Sequence, residues 1–128
     1  MIIASIDHVV LTTRDMDAAI RFYTEVLGMR LETFGEGRKA LVFGEQKINL
    51  QDGVSKVDIM AVARVPTPGS LDLCFLAGVP LDAVIERLRA HRVPIETGPV
   101  ARTGARFALR SIYIRDPDGN LIEISERA

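Results

Sequence analysis

Ser111-Ile112-Tyr113-Ile114-Arg115-Asp116-Pro117-Asp118-Gly119-Asn120-Leu121-Ile122-Glu123-Ile124-Ser125 is the stretch that decides how this chain folds. Ile112 and Ile114 alternate with Ser111, Tyr113 and Arg115; Ile122 and Ile124 alternate with Leu121, Glu123 and Ser125. A period of two puts one apolar face and one wet face on each strand. Asp116-Pro117-Asp118-Gly119 supplies the bend between them: proline presets the first corner, aspartate accepts local hydrogen bonds, and glycine takes the positive φ. The stretch therefore predicts a β-hairpin, with Glu123 on the same face as Tyr113 and opposite the isoleucines.

Working back from the hairpin, Ser70–Ala77 is strand-like. Leu81, Val84, Ile85 and Leu88 mark a helix with Pro80 near its start. Val93–Thr97 is expected to be a short strand, and the run from Gly98 to Arg106, with Pro99, Arg102, Thr103 and Gly104, a loop. The first half has the same order. Ile2–Thr13 reads as a strand with His8, Val10 and Thr12 on one face. Asp15 is placed to cap a helix over Met16, Ile20, Tyr23 and Leu27, and Gly28 is placed to end it. Short strands at Met29–Phe34, Arg38–Phe43 and Lys47–Gln51 follow. Asp7-His8-Val9-Val10-Leu11 lies over Leu71-Asp72-Leu73-Cys74-Phe75, so the second half repeats the first. Residues 52–69, broken by Pro66-Thr67-Pro68-Gly69, are expected to link the halves. This is an α+β architecture of two tandem β-α-β-β-β modules, about 3–51 and 70–126, in one domain.

The composition narrows the function. With 128 residues and 48% hydrophobic content, the chain is long and apolar enough to bury one domain core. A net charge of −1 gives no global attraction to nucleic acid or to an anionic membrane. No apolar run approaches membrane-helix length, and the first residues lack a basic end and a long apolar centre, so no membrane or secretory role is expected. The single cysteine, Cys74, cannot form an internal disulfide, so the expected compartment is the cytoplasm. There is no glycine-rich phosphate loop, Ser-His-Asp order or CxxC spacing.

The chain resembles members of the vicinal-oxygen-chelate superfamily, which comprises the glyoxalase, bleomycin-resistance and extradiol-dioxygenase proteins. Asp7-His8-Val9-Val10-Leu11, Ala18-Ala19-Ile20-Arg21-Phe22-Tyr23 through Leu27-Gly28, and above all Arg115–Glu123 carry the resemblance. Pro66–Cys74 and Gly98–Ala105 are similar to the lactoylglutathione-lyase-like, glyoxalase-domain-containing proteins called virulence proteins. The resemblance implies that the sheets curl into a cup, that a divalent metal is held there, and that small members form homodimers. Position by position it implies His8, Asp72 and Glu123 as metal ligands and Asn49 at the equivalent place in the first module. One imidazole and two carboxylates suit Mn, Fe, Ni or Zn. The chain departs from the pattern at Asp72, where a second histidine is usual, and at Asn49, a weak ligand better suited to orienting a substrate.

Around that set, Tyr113 and Ser111 share the Glu123 face, and the resemblance implies that they touch substrate, Tyr113 also as a catalytic group. Arg102 and Thr103 can present a guanidinium and a hydroxyl to an anion. Each has an ordinary alternative: a hydrogen-bonded strand histidine for His8, a solvated carboxylate for Glu123, a packing tyrosine for Tyr113, and a buried inert thiol for Cys74. Two functions follow. One is a glyoxalase-like, metal-dependent lyase or isomerase acting on a small anionic substrate with vicinal oxygens, with Glu123, if it leaves the metal, or Asp72 as the proton-transferring base. The other is a metal-free, bleomycin-resistance-like protein that sequesters a ligand. A dioxygenase is disfavoured, because oxygen activation usually uses two histidines and the strands supply one.

Overall fold

A computed structural model describes residues 1–54 and 61–128. The chain divides into two units, Met1–Gly69 and Ser70–Ala128. The first unit contains β1 (His8–Thr13), α1 (Met16–Arg21), β2 (Arg30–Phe34), β3 (Arg38–Phe43) and β4 (Gln46–Asp52). The second contains β5 (Asp72–Leu76), α2 (Leu81–Ala90), β6 (Thr97–Thr103), β7 (Ala108–Arg115) and β8 (Leu121–Arg127). Each unit is thus a β-α-β-β-β module with one four-stranded mixed sheet, ordered β1-β4-β3-β2 and β5-β8-β7-β6. The outer strand β1 runs parallel to β4, and β5 runs parallel to β8; the other pairs are antiparallel.

One face of each sheet is sealed by the helix of its own unit. In the second unit Ile112, Ile114, Ile122 and Ile124 are buried together with Leu81 and Leu88 of α2. Burying each such side chain contributes about 1.5–3 kcal/mol. In the first unit Leu11, Leu41, Ile48 and Leu50 are buried with Ala19, Tyr23 and Val26. The opposite faces carry the polar residues.

The local signals explain the element ends. Asp15 Oδ1 accepts from the Ala18 amide at 3.0 Å, satisfying a donor that the first turn of α1 leaves free. The helix continues as a π-helical turn, Phe22–Val26, and ends at Gly28, whose φ of +73° is the left-handed cap. α2 lacks a side-chain cap of its own, since Pro80 precedes it. Glu126 on β8 takes that role by accepting from the Leu81 amide at 2.8 Å.

Three expectations change. Residues 2–7 do not extend the first strand, which starts at His8; β4 starts at Gln46, and among the described residues no strand pairs with the earlier ones. Of the strand expected at 93–97 only Thr97 is in a strand, as the first residue of β6, and the expected loop from Gly98 is instead β6 up to Thr103. Gly98 and Pro99 sit in a register shift between Thr97 and Val100, where β6 resumes its pairing with β7. A Cβ at Gly98 would lie 2.4 Å from the Ser111 carbonyl oxygen, and φ is +107° there, so only glycine fits. Of the expected linker, residues 55–60 lie outside the described residues. Among the described residues no helix is long and apolar enough to cross a membrane.

Candidate functional site

The hairpin has the register its alternation implies. Tyr113 pairs with Glu123, Ser111 with Ser125, and Ile112 with Ile124. On the other side of β8, Cys74 pairs with Glu123 and Asp72 with Leu121. Asp72, Cys74, Glu123, Ser125, Ser111 and Tyr113 therefore share the face of the second sheet that α2 leaves uncovered.

The turn holds this face in place. Asp116 Oδ1 accepts from the amides of Asp118 and Asn120, both at 2.9 Å, and Oδ2 from the Asn120 carboxamide at 2.8 Å. Asn120 Oδ1 in turn accepts from the Leu71 amide at 2.8 Å. Asp116, Asp118 and Asn120 are all buried. The turn thus anchors the residue just before Asp72 and fixes where β5 starts against β8.

Within the face the hydroxyls form a directed chain. Ser125 donates to Glu123 Oε2 at 3.2 Å. Ser111 Oγ lies 2.6 Å from Ser125 Oγ, and Cys74 Sγ lies 3.3 Å from it. Ser125 has one proton, and it goes to the carboxylate. Ser111 and Cys74 must then both donate to Ser125. The arrangement needs a neutral thiol, and desolvation pushes the Cys74 thiol up, with the Glu123 and Asp72 carboxylates adding to the effect despite the lowering bond to Ser125. Cys74 is exposed rather than buried, a correction to the sequence reading, and the upward shift disfavours the reactive thiolate.

Tyr113 is held differently. Arg102 Nε donates to its phenol oxygen at 2.8 Å, and the guanidinium carbon lies 5.3 Å from the ring centroid. With Arg102 on one lone pair, the Tyr113 proton is free to be donated across the open face beside Glu123. A cavity of about 340 Å³ opens on this sheet, lined by Glu123, Cys74, Thr103, Gly104, Arg106 and Phe107 among others. Arg102 is not among the lining residues, whereas Thr103 is. Sequence reasoning missed Ser125, although parity alone places it on the Glu123 face. Two other arginines near the hairpin are engaged elsewhere: Arg110 bonds Glu126 at 3.1 Å, and Arg115 bonds Glu96 at 3.1 Å.

In the first unit His8 Nδ1 lies 2.8 Å from Asp7 Oδ1. That bond is the ordinary role foreseen for the histidine. It also fixes the ring so that Nε2 remains for a ligand, the arrangement by which a carboxylate orients a metal-binding imidazole. Asn49 pairs with Val10 as Glu123 pairs with Cys74, so the two occupy the same place in their modules. Asn49 is buried and its Oδ1 has no hydrogen-bond partner. An unmet buried acceptor is costly, and it suits contact with a donor that the protein does not itself supply. As donor types, one imidazole and two carboxylates suit a divalent ion. Among the described residues, however, no group of three or more His, Cys, Asp or Glu side chains is gathered that could hold one.

Comparison with known proteins places this geometry. The family model described as the Glyoxalase/Bleomycin resistance protein/Dioxygenase superfamily matches residues 5–124. The chain is 52% identical over 126 residues to virulence protein STM3117 of Salmonella typhimurium, covering 98% of this chain and 86% of that protein. The crystal structure of that protein superposes with a TM-score of 0.95 over the full length of both chains. Glyoxalase domain-containing protein RDO1 of Mycosarcoma maydis is 49% identical over 123 residues, 96% of this chain and 68% of that protein. The structure of lactoylglutathione lyase from Agrobacterium tumefaciens matches at 29% identity with a TM-score of 0.73, over 96% of this chain and 93% of that one.

Proposed function

This chain belongs to the Glyoxalase/Bleomycin resistance protein/Dioxygenase superfamily, and from that premise we propose that it is a glyoxalase-like, metal-dependent lyase or isomerase acting on a small anionic substrate with vicinal oxygens. The observation that carries the reading is Glu123, a proton acceptor oriented by Ser125, in the wall of a cavity, with Tyr113 as its register partner on the neighbouring strand. A lactoylglutathione lyase among the structures it matches is in keeping with it.

The groups that would hold the ion are the His8 imidazole and the Asp72 carboxylate, with the Glu123 carboxylate only while it is not serving as the base. When bound, the ion would polarise a substrate carbonyl and acidify the adjoining C–H. The chain's own residues do the rest. Glu123 accepts the proton, and the Ser125 hydroxyl keeps one carboxylate oxygen oriented toward the substrate face. Ser111 acts through Ser125, its hydroxyl being buried and spent there. Tyr113 donates to the developing oxyanion, held in place by Arg102. Thr103 and Arg106 offer a hydroxyl and a cation at the cavity for the substrate's anionic group. Asn49 would accept from a substrate hydroxyl or N–H. We expect the working form to be a homodimer, as in small members of the family.

The test is turnover in Mn²⁺-, Ni²⁺- or Zn²⁺-supplemented buffer with vicinal-oxygen substrates, beginning with the hemithioacetal of methylglyoxal and glutathione. Glu123→Gln should lower kcat by about 10²–10⁴-fold, the usual worth of a positioned base. Tyr113→Phe should lower kcat about tenfold or more with a small change in KM. Wild-type activity retained by Glu123→Gln would overturn the assignment. Failure of every such substrate with metal-loaded protein would favour a sequestering role.

A further inference from the structure

We infer that the cavity on the second sheet takes a compact organic acid with a short aliphatic chain, its carboxylate held at the rim by Arg106 and Arg127 and its chain laid on Leu76 and Leu109. The inference rests on the lyase reading only for the place of the reacting group beside Glu123. It adds the chemistry of the rest of the substrate, and Arg127 as a residue that binds it.

The register grades this face along the strands. Cys74, Glu123 and Tyr113 form one row across β5, β8 and β7; Leu76, Ser125 and Ser111 form the next; Arg127 and Leu109 form the third. Rows on one face are two residues, about 6.5 Å, apart. In the middle row Ser111 and Ser125 are short, fully buried and bonded to each other, so they form a low floor between taller neighbours. The cavity of about 340 Å³ is lined by members of all three rows: Glu123 from the first, Leu76 from the second and Leu109 from the third. At about 30 Å³ for each water it has room for roughly eleven, so what enters it is small.

The third row ends in uncompensated charge. The Arg106 guanidinium carbon lies 5.2 Å from the Phe107 ring centroid, and that of Arg127 lies 5.1 Å from it. Among the described residues neither arginine is in an ion pair. The ring attracts each cation but neutralises neither, so the two still repel each other. A bound carboxylate removes that repulsion and accepts from both. Glu123 does not fill this role. It stands four residues, about 13 Å, along β8 from Arg127, and its carboxylate accepts from Ser125.

Between the base and the cations the wall is apolar. Leu76 is 52% exposed, an aliphatic side chain that the sheet leaves in water. Gly104 closes the β6–β7 connection: its amide donates to the Phe107 carbonyl at 3.0 Å, and a Cβ there would lie 2.7 Å from that oxygen and 3.0 Å from the Leu109 side chain. Phe107 and Leu109 are thereby held together at the same end of the cavity. A chain that runs from the Glu123 row to the arginines covers Leu76 and rests on Leu109, which removes apolar surface from water. The chemistry selects a carboxylate at one end and methylene groups behind it.

The test is an amide NMR titration of chelator-treated, full-length protein with acetate, butanoate and hexanoate. These acids probe binding apart from turnover. Saturable shifts are expected at the amides of Leu76, Gly104 and Leu109, with Kd falling roughly fourfold for each added methylene. Arg106→Gln and Arg127→Gln should each weaken butanoate and hexanoate about tenfold, the loss of one charge-assisted bond. Leu76→Ser, a change at a half-exposed position, should flatten the dependence on chain length and leave acetate as in the wild type. Arg89→Gln, on α2 across the sheet, is the control for net charge and should bind like the wild type. No saturable shift with any acid, equal Kd for acetate and hexanoate, or unchanged affinity in Arg127→Gln would overturn the proposal. Binding as described in a protein without turnover upholds it while the lyase reading fails; turnover without a dependence on chain length overturns the proposal alone.

Discussion

Asp116 shows how one residue of the deciding stretch does more than turn the chain. Its carboxylate takes three hydrogen bonds while buried, and through Asn120 it reaches the Leu71 amide. Asp116→Ala would strand two amides and a carboxamide, and removing bonds to a charged acceptor that leave buried donors unmet costs about 2–4 kcal/mol. Urea denaturation should show that loss. A change below about 0.5 kcal/mol would mean that the turn holds itself without the network. At this scale the sequence was partly readable. Parity put Tyr113, Ser111 and Glu123 on one face, and the pairing agrees. The donor chain through Ser125 was not readable, because it depends on hydroxyl distances that alternation does not specify. The unmet Asn49 oxygen was equally hidden, since only packing shows that no neighbour reaches it.

Among the elements, α2 is the clearest case of a helix completed from outside. Pro80 offers no side-chain cap, so the Leu81 amide bonds Glu126 on β8, which also takes Arg110. The Leu81 amide bond, and then Arg110, hold the Glu126 carboxyl below its usual range, against a smaller opposing effect of desolvation. A group with a depressed folded pKa adds stability above its unfolded pKa and loses it as pH falls through the folded value. The wild type should therefore lose melting temperature as pH falls from the ordinary glutamate range to below it. Glu126→Gln should flatten that part of the profile, and identical acid profiles would contradict the linkage. Spacing made α2 legible, and Asp15 and Gly28 did the same for both ends of the first helix. β6 was not legible, because Gly98 and Pro99 carry loop chemistry that the sheet absorbs as a register shift. Residues 2–7 misled in the other direction: Ile2, Ile3 and Ile6 have strand-like character, but among the described residues no strand pairs with them.

Taken whole, the chain is two copies of one plan, and that was readable from the lay of His8 over Asp72. Both residues open the strand that runs parallel to the last strand of their unit. What the repeat does not preserve is chemistry. Where one module ends in Glu123, the other has Asn49, and where one starts with His8, the other has Asp72. A duplicated scaffold whose equivalent positions differ can give each half its own task. The account's central claim is that His8 and Glu123 serve a metal-dependent reaction. The measurement that tests it most directly is the metal content of protein purified without chelator, taken beside His8→Ala and Glu123→Ala. About one divalent transition-metal ion per chain in the wild type, lost in both variants, is the predicted result. No bound metal in the wild type, together with no thermal stabilisation by added Mn²⁺, Ni²⁺ or Zn²⁺, would contradict it.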